Sequence, residues 1–173
     1  MTIPDRLTAH LSQKHIAYDT IHHIPARSSQ YAASLLHVPG RQVAKTVALR
    51  AGEKTLLAVL PASWHLNLKK FAALVAAEVS LVDEQECYQL FPDCQPGAIP
   101  PFGELYNLPV YMDQALADVP DIVFCAGTLC DGIRMGNADF IHVVKPRVCS
   151  FAEPGDPART DAGAFAYEEG GGK

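Results

Sequence analysis

No stretch of this 173-residue chain approaches the roughly 18 consecutive apolar residues of a membrane-spanning helix, so a span is not expected. Met1 to Arg6 lack a basic start followed by an apolar block; no signal peptide is read there, and a cytoplasmic protein is the expectation. Gly-x-Gly-x-x-Gly and Walker-type loops are missing, which removes support for nucleotide binding of those kinds, and no Gly-x-Ser-x-Gly elbow presents a serine nucleophile. The five cysteines are odd in number and include no Cys-x-x-Cys, which fits reduced thiols better than a disulfide framework. Cys125 and Cys130 have no histidine cluster near them in sequence, so a zinc site is not expected. His22 and His23 would point to opposite sides of a strand and make a poor pair of ligands.

Positive charge is also scarce. A net charge of −5 argues against a domain that holds nucleic acid, DNA in particular, by broad phosphate neutralisation. Residues 151–173 carry −3 of that total, which leaves room for a small nucleic-acid contact elsewhere. With 49% hydrophobic and 19% charged residues, the composition is that of a globular protein. The expected organisation is one domain over residues 1–149 and a flexible acidic tail over 150–173, where Gly, Pro, Ala and acids replace any periodicity.

Apolar periodicity divides the domain into short elements. Pro4 followed by Leu7 and Leu11 predicts a helix over 4–14, and residues 16–23 alternate as a strand. Ser28 or Ser29 can cap a helix through Leu36, which Pro39-Gly40 stops. Residues 43–50 and 55–60 flank an Ala51-Gly52-Glu53-Lys54 turn and predict an antiparallel hairpin, its second strand central because it is apolar on both faces. Asn67 and Asp83 are expected helix caps, Lys69 and Lys70 a solvated face, and residues 79–82 a short strand. Later come a strand at 110–112, a short helix capped by Asp113, a strand at 122–126 paired with 133–135, and a helix capped by Asn137 and stopped by Pro146. Hairpins interrupted by single helices, without strict βα alternation, point to an α+β fold with a mixed, largely antiparallel sheet.

Two features carry chemistry. On the strand 43–50, side-chain alternation groups Lys45 with Val43, Val47 and Leu49, and sends Thr46 to the other face with Ala44 and Ala48. A lysine directed with apolar residues either meets an anion or carbonyl in a cleft, or lays its stem on apolar surface while the ammonium reaches water. The loop 92–103, Pro-Asp-Cys-Gln-Pro-Gly-Ala-Ile-Pro-Pro-Phe-Gly, combines four prolines with two glycines. Such a loop is rigid and contorted, and serves either to hold backbone groups toward a ligand or to stiffen a surface connection.

Gln42-Val43-Ala44-Lys45-Thr46-Val47, Gly97-Ala98-Ile99-Pro100-Pro101-Phe102-Gly103 and Ala126-Gly127, in this order and spacing, resemble the YbaK and prolyl-tRNA synthetase editing-domain superfamily of aminoacyl-tRNA deacylases over about residues 5–147. The resemblance implies a curled, mixed sheet flanked by helices, hydrolysis of the ester joining a wrong amino acid to the 3′ end of a tRNA, and no metal or organic cofactor. It implies that Lys45 contacts the aminoacyl end. Gly97, Ala98, Ile99, Pro100 and Pro101 would hold the terminal ribose and ester by their backbone, with Ala126 and Gly127 lining the same pocket and Thr46 in a supporting role. The implied partners are aminoacyl-tRNA, at its acceptor end, and an aminoacyl-tRNA synthetase. A Schiff base on Lys45, or a module that binds charged tRNA or a synthetase without turnover, are the alternatives. Cys125 and Cys130, flanking Gly127, read better as small buried hydrophobes than as reactive groups; His22 and His23 rank below Lys45, and His142 as a satisfied face of the last helix.

Overall fold

A computed structural model describes residues 1–25 and 37–155. The expected helix after Ser28 therefore lies outside the described residues, as does the chain beyond Gly155. In chain order the elements are α1 (Asp5–Gln13), β1 (Tyr18–His22), β2 (Val43–Ala51), β3 (Lys54–Pro61), β4 (Trp64–Leu66), α2 (Leu68–Val75), β5 (Val79–Leu81) and α3 (Glu84–Leu90). A 3-10 turn (Gly103–Tyr106) follows, then β6 (Val110–Asp113), α4 (Gln114–Ala117), β7 (Asp121–Cys125), β8 (Asp131–Gly136), α5 (Asn137–Val144), β9 (Arg147–Cys149) and β10 (Ala152–Pro154).

The main sheet runs β1-β8-β7-β2-β3-β6-β9, with β5 added to β2, and it is mixed: β1–β8, β7–β8, β2–β3 and β2–β5 are antiparallel, while β2–β7, β3–β6 and β6–β9 are parallel. The expected α+β architecture with a largely antiparallel, curled sheet is the one found. The hairpin β2–β3 keeps an unbroken register from Ala44 opposite Pro61 to Ala51 opposite Lys54. Residues 56–61 are buried throughout, as a central strand apolar on both faces requires.

Alternation along β2 builds a separate core on each face of the sheet. Ala44 and Ala48 join Leu57, Val59 and Phe124 in a large core closed by Leu7 and Leu11 of α1, Cys87 of α3 and Phe140 of α5. Val47 and Leu49 join Leu56, Ala58 and Leu60 beneath Phe71 of α2 and Phe151. Local capping behaves as expected at three helices: Asn67 accepts from the Lys70 amide at 3.0 Å, Asp83 from Glu86 at 2.7 Å, and Asp113 from Ala115 at 2.9 Å.

Two expectations are corrected. Asn137 does not cap α5, whose N-cap is Gly136; the Asn137 side chain is buried and donates instead to the carbonyls of Leu116 at 2.8 Å and Ala117 at 3.2 Å, tying α5 to α4. Nor is the chain loose from Ser150. Phe151 is fully buried against Phe71, and β10 pairs antiparallel with β4 from Ala152 opposite Leu66 to Pro154 opposite Trp64. The cause is Asp113, whose Oδ2 accepts the amides of both Phe151 and Ala152 at 2.8 Å. A buried carboxylate held by several N–H donors is a strong anchor, so the folded unit extends through residue 155.

Candidate functional site

One edge of β2 is paired with β3 along its length, and the other is shared. At its start, Val43 and Ala44 lie beside Val123 and Phe124 of β7; at its end, Leu49 to Ala51 lie beside Leu81 to Val79 of β5. Between those pairings, at Lys45, Thr46 and Val47, β7 and β5 part and the sheet divides. On this edge Gln42 accepts from Val123 at 2.9 Å and Ala48 accepts from Val82 at 3.1 Å. Backbone groups on a strand alternate edges, so the peptide N–H and C=O of Thr46 also face the division. Lys45 is half-buried and stands on the face of Val47, Leu49 and Leu60; Thr46 stands on the face of Ala44 and Ala48.

The far side of the division is made of irregular backbone. After Cys125, the chain turns at Ala126 and Gly127, and Gly127 is bonded both ways to the proline-rich loop: its amide donates to the Ala98 carbonyl at 2.9 Å and its carbonyl accepts the Gln95 amide at 2.8 Å. Ala98 closes the ring by donating to Gln95 at 3.0 Å. The Gln95 side chain adds a further link, its Oε1 accepting the Leu129 amide at 2.8 Å. Gly97 to Pro101 and Ala126-Gly127, singled out separately in sequence, are thus one hydrogen-bonded unit. Ile99, Phe102 and Ala126 pack into the large core, on the Thr46 side of the sheet, while Lys45 projects from the opposite face one strand away.

The N-terminal helix braces this unit. Gly127 has φ +87°, and a Cβ there would lie 2.4 Å from Cδ of Pro4, so only glycine lets the start of α1 close over the turn. Arg6 Nε meets Asp93 Oδ2 at 2.7 Å, its guanidinium lies 5.0 Å from the Tyr106 ring centre, and the Tyr106 hydroxyl donates to Asp93 Oδ1 at 3.1 Å. Cys94 sits 3.3 Å from that hydroxyl, and burial pushes its thiol up to about 11. Burial likewise pushes the Cys125 thiol up to about 12, so neither is a poised nucleophile.

Beside the turn, Thr128 donates to Asp131 Oδ2 at 2.5 Å and the His22 ring stands 2.8 Å from Asp131 Oδ1. Burial raises the Asp131 carboxyl, but the hydrogen bonds from Thr128 and His22 and the charges of His22 and His23 together hold it below the usual range. His22 is therefore engaged in the β1–β8 edge rather than at the division, while His142 is exposed on α5. Among the described residues, no cluster of His, Cys, Asp and Glu could hold a metal ion, and no helix is long and apolar enough to cross a membrane. Gln95, Pro4 and Arg6 were not marked as site residues in the sequence. Gln95 stands in the singled-out loop, but what it bonds lies more than thirty residues away.

This arrangement sets a half-buried lysine, a main-chain edge and a glycine-pinned turn beside one break in a sheet. Comparison with known proteins bears on the family and the fold. Residues 23–143 match the model of the aminoacyl-tRNA editing domain. A segment of 93 residues is 33% identical to proline--tRNA ligase of Thiobacillus denitrificans, covering 53% of this chain and only 16% of the ligase. The fold is shared with a candidate trans-editing enzyme for prolyl-tRNA synthetase, at TM-score 0.75 and 21% identity over 86% of this chain and 95% of that one. A candidate signal-transduction protein from Marinobacter aquaeolei contains the fold too, at TM-score 0.72 and 14% identity, over 91% of this chain and 32% of its own. The chain belongs to the aminoacyl-tRNA editing domain family.

Proposed function

We propose that the protein is a free-standing cytoplasmic deacylase that cleaves the ester of mischarged aminoacyl-tRNA. The observation that carries this reading is the division of the sheet at Lys45 to Val47, beside which β7 runs into the Ala126-Gly127 turn and the loop bonded to it, in a chain of the editing family. The terminal adenosine lies along the loop, held by backbone groups of Gly97 to Pro101, with Ala126 and Gly127 closing the pocket. The aminoacyl ester enters the division, where the Lys45 ammonium faces the carbonyl oxygen and the Thr46 main chain lines the path.

Water, or water assisted by the free ribose hydroxyl, adds to the ester carbonyl. The oxyanion that develops is stabilised by Lys45 and fixed amides; its collapse expels the ribose oxygen, which takes a proton, and releases the free amino acid. A charge of −5 gives the chain little to hold a tRNA body, which supports a synthetase as the partner that supplies that affinity. The same charge favours the second reading, a module that binds charged tRNA without turnover.

Deacylation of alanyl-, seryl-, threonyl- and cysteinyl-tRNA by the parent and Lys45→Ala tests the reading. The expected result is turnover of at least one substrate, falling by about 10²- to 10³-fold in the variant, as for loss of one oxyanion donor. Equal rates in the two proteins overturn the assignment of Lys45; binding of charged tRNA without turnover by the parent favours the module.

A further inference from the structure

The last described residues are held one by one. The amides of Phe151 and Ala152 both reach Asp113, the Glu153 carboxylate accepts from Asn67 at 3.0 Å and pairs with Lys70 at 3.1 Å, and Pro154 lies opposite Trp64. Gly155 then donates to the Ser63 carbonyl at 3.1 Å. A Cβ on Gly155 would lie 2.5 Å from that carbonyl oxygen and 3.1 Å from Nε2 of His65, so glycine lets the chain pass this close. The pairing of β10 with β4 thus sets the place at which the chain leaves Gly155.

That place lies close to the division of the main sheet. Phe151, Trp64 and Leu66 pack with Val47, Leu49 and Leu60, so β4 and β10 lie on the face from which Lys45 projects. Ser63 follows Ala62, whose amide donates to the Val43 carbonyl at 2.7 Å, and Lys45 stands opposite Leu60. At about 3.3 Å per strand residue, Ser63 is about 10 Å along the sheet from Lys45. A Cβ on Gly40 would lie 3.4 Å from Cβ of Ser63, which brings Arg41 beside the same exit. Arg41 is exposed and has no ion-pair partner among the described residues.

The sequence that follows is complementary to this place. Residues 156–173 carry the carboxylates Asp156, Asp161, Glu168 and Glu169 against Arg159 and Lys173, with Phe165 and Tyr167 just before the glutamate pair. A planar ring next to negative charge is also what the terminal adenosine of a tRNA presents. Fully extended, residues 156–167 would span about 40 Å, several times the separation from Lys45. A tethered segment meets a nearby site at an effective concentration on the order of millimolar, so weak contacts suffice. We propose that Tyr167 to Glu169 dock at the division beside Lys45 and Arg41 of the same chain, and compete there with the acceptor end of aminoacyl-tRNA. The competition rests on the editing reading; the docking does not.

Carbodiimide joins a carboxylate to a lysine in contact with it, so the docking is tested by treating the full chain at low concentration, with isotope-labelled and unlabelled chains mixed, and mapping the amide links by mass spectrometry. The expected result is a link from Lys45 to Glu168 or Glu169 within one chain, ahead of any link to Lys54 at the far end of the β2–β3 hairpin. An unlinked Lys45, links spread evenly over Lys45 and Lys54, or Lys45 links between chains each overturn the proposal. The competition is read in steady-state deacylation by the full chain with Glu168→Gln and Glu169→Gln. A segment in place about two-thirds of the time raises the apparent KM about threefold, so KM should fall by that factor with kcat unchanged. Glu104→Gln with Asp139→Asn, the same change of charge beside the large core on the opposite face, should leave KM as in the parent. Equal KM in the parent and the Glu168 and Glu169 variant, or an equal fall in both variants, overturns the competition. A parent without turnover on any charged tRNA removes the editing reading, and the cross-link still decides the docking.

Discussion

The two sides of the division in the sheet are built by opposite means. On one side, β2 is a regular strand, and alternation sets the face from which Lys45 projects, its position fixed by eight successive pairings with β3. On the other side, among the described residues, no strand continues the ladder; the loop and the Ala126-Gly127 turn keep their shape through single hydrogen bonds to Gln95, a glycine under Pro4, and the brace of Arg6, Asp93 and Tyr106. A side chain that must reach a carbonyl is best carried on a rigid ladder. A surface that must offer several main-chain groups at once has to leave the ladder, since paired strands spend those groups on one another. The regular side should therefore tolerate substitutions that keep its fold and lose only chemistry, and the irregular side should lose fold and chemistry together.

Gly127→Ala should produce the largest effect. The left-handed backbone alone costs about 1–2 kcal/mol for a residue with a Cβ. The new methyl group also meets Pro4, so α1 must lift from the turn. Urea unfolding should show a lowered midpoint, and deacylation should fall with it; an alanine variant with the parent midpoint would mean that the turn is not pinned from above. Lys45→Met sharpens the contrast from the other side: methionine keeps a long aliphatic stem on the face of Val47 and Leu49, so the unfolding midpoint should fall less than in Gly127→Ala, while turnover is lost.

Gln95→Ala should come between these two. It removes the acceptor of the Leu129 amide in a half-buried setting, a loss of about 1–2 kcal/mol, and loosens the loop against the turn. Gln95→Glu keeps an oxygen in place and should restore the midpoint. In steady-state deacylation, a loop that orients the substrate predicts a fall in kcat for Gln95→Ala that exceeds the change in KM, and recovery of kcat in Gln95→Glu. Parallel loss in both variants would assign Gln95 a different role.

How much of this was legible in the sequence depends on how far apart the partners lie. The β2–β3 hairpin, the grouping of Lys45 with Val47 and Leu49, and the caps at Asn67, Asp83 and Asp113 are set within a few residues, so periodicity and cap chemistry expose them. Asn137 shows the limit of the local rule: an asparagine at a helix start is a good cap, but here Leu116 and Ala117 compete for its amide from twenty residues away, and Gly136 takes the cap position. The fate of Phe151 is non-local in the same way, since nothing around Ser150 announces that Asp113 will bind two amides across 38 and 39 residues. The candidate site divides along that line. Lys45 and the loop stand out by composition, but their union through Gly127, Ala98 and Gln95 is a matter of tertiary hydrogen bonds that leave no period in the chain.

The smallest expected effect lies at the sheet edge beside the turn, and its sign follows from Asp131. This carboxyl is held below its usual range in the folded chain, so it contributes stability above the unfolded value, about pH 3.9, and loses that contribution as pH falls through the folded value. Asp131→Asn should therefore be less stable than the parent at neutral pH, with the gap in urea midpoint closing as the pH is taken below about 4. His22→Ala should reproduce only a part of the gap, because Thr128 still donates to the other carboxylate oxygen. Because that hydroxyl also accepts the amides of Cys130 and Asp131 at 3.2 and 2.9 Å, the cluster shapes the turn that follows Gly127. A gap that stays constant with pH would mean that Asp131 acts there through its shape and hydrogen bonds alone, and would remove its charge from the forces that hold the irregular side.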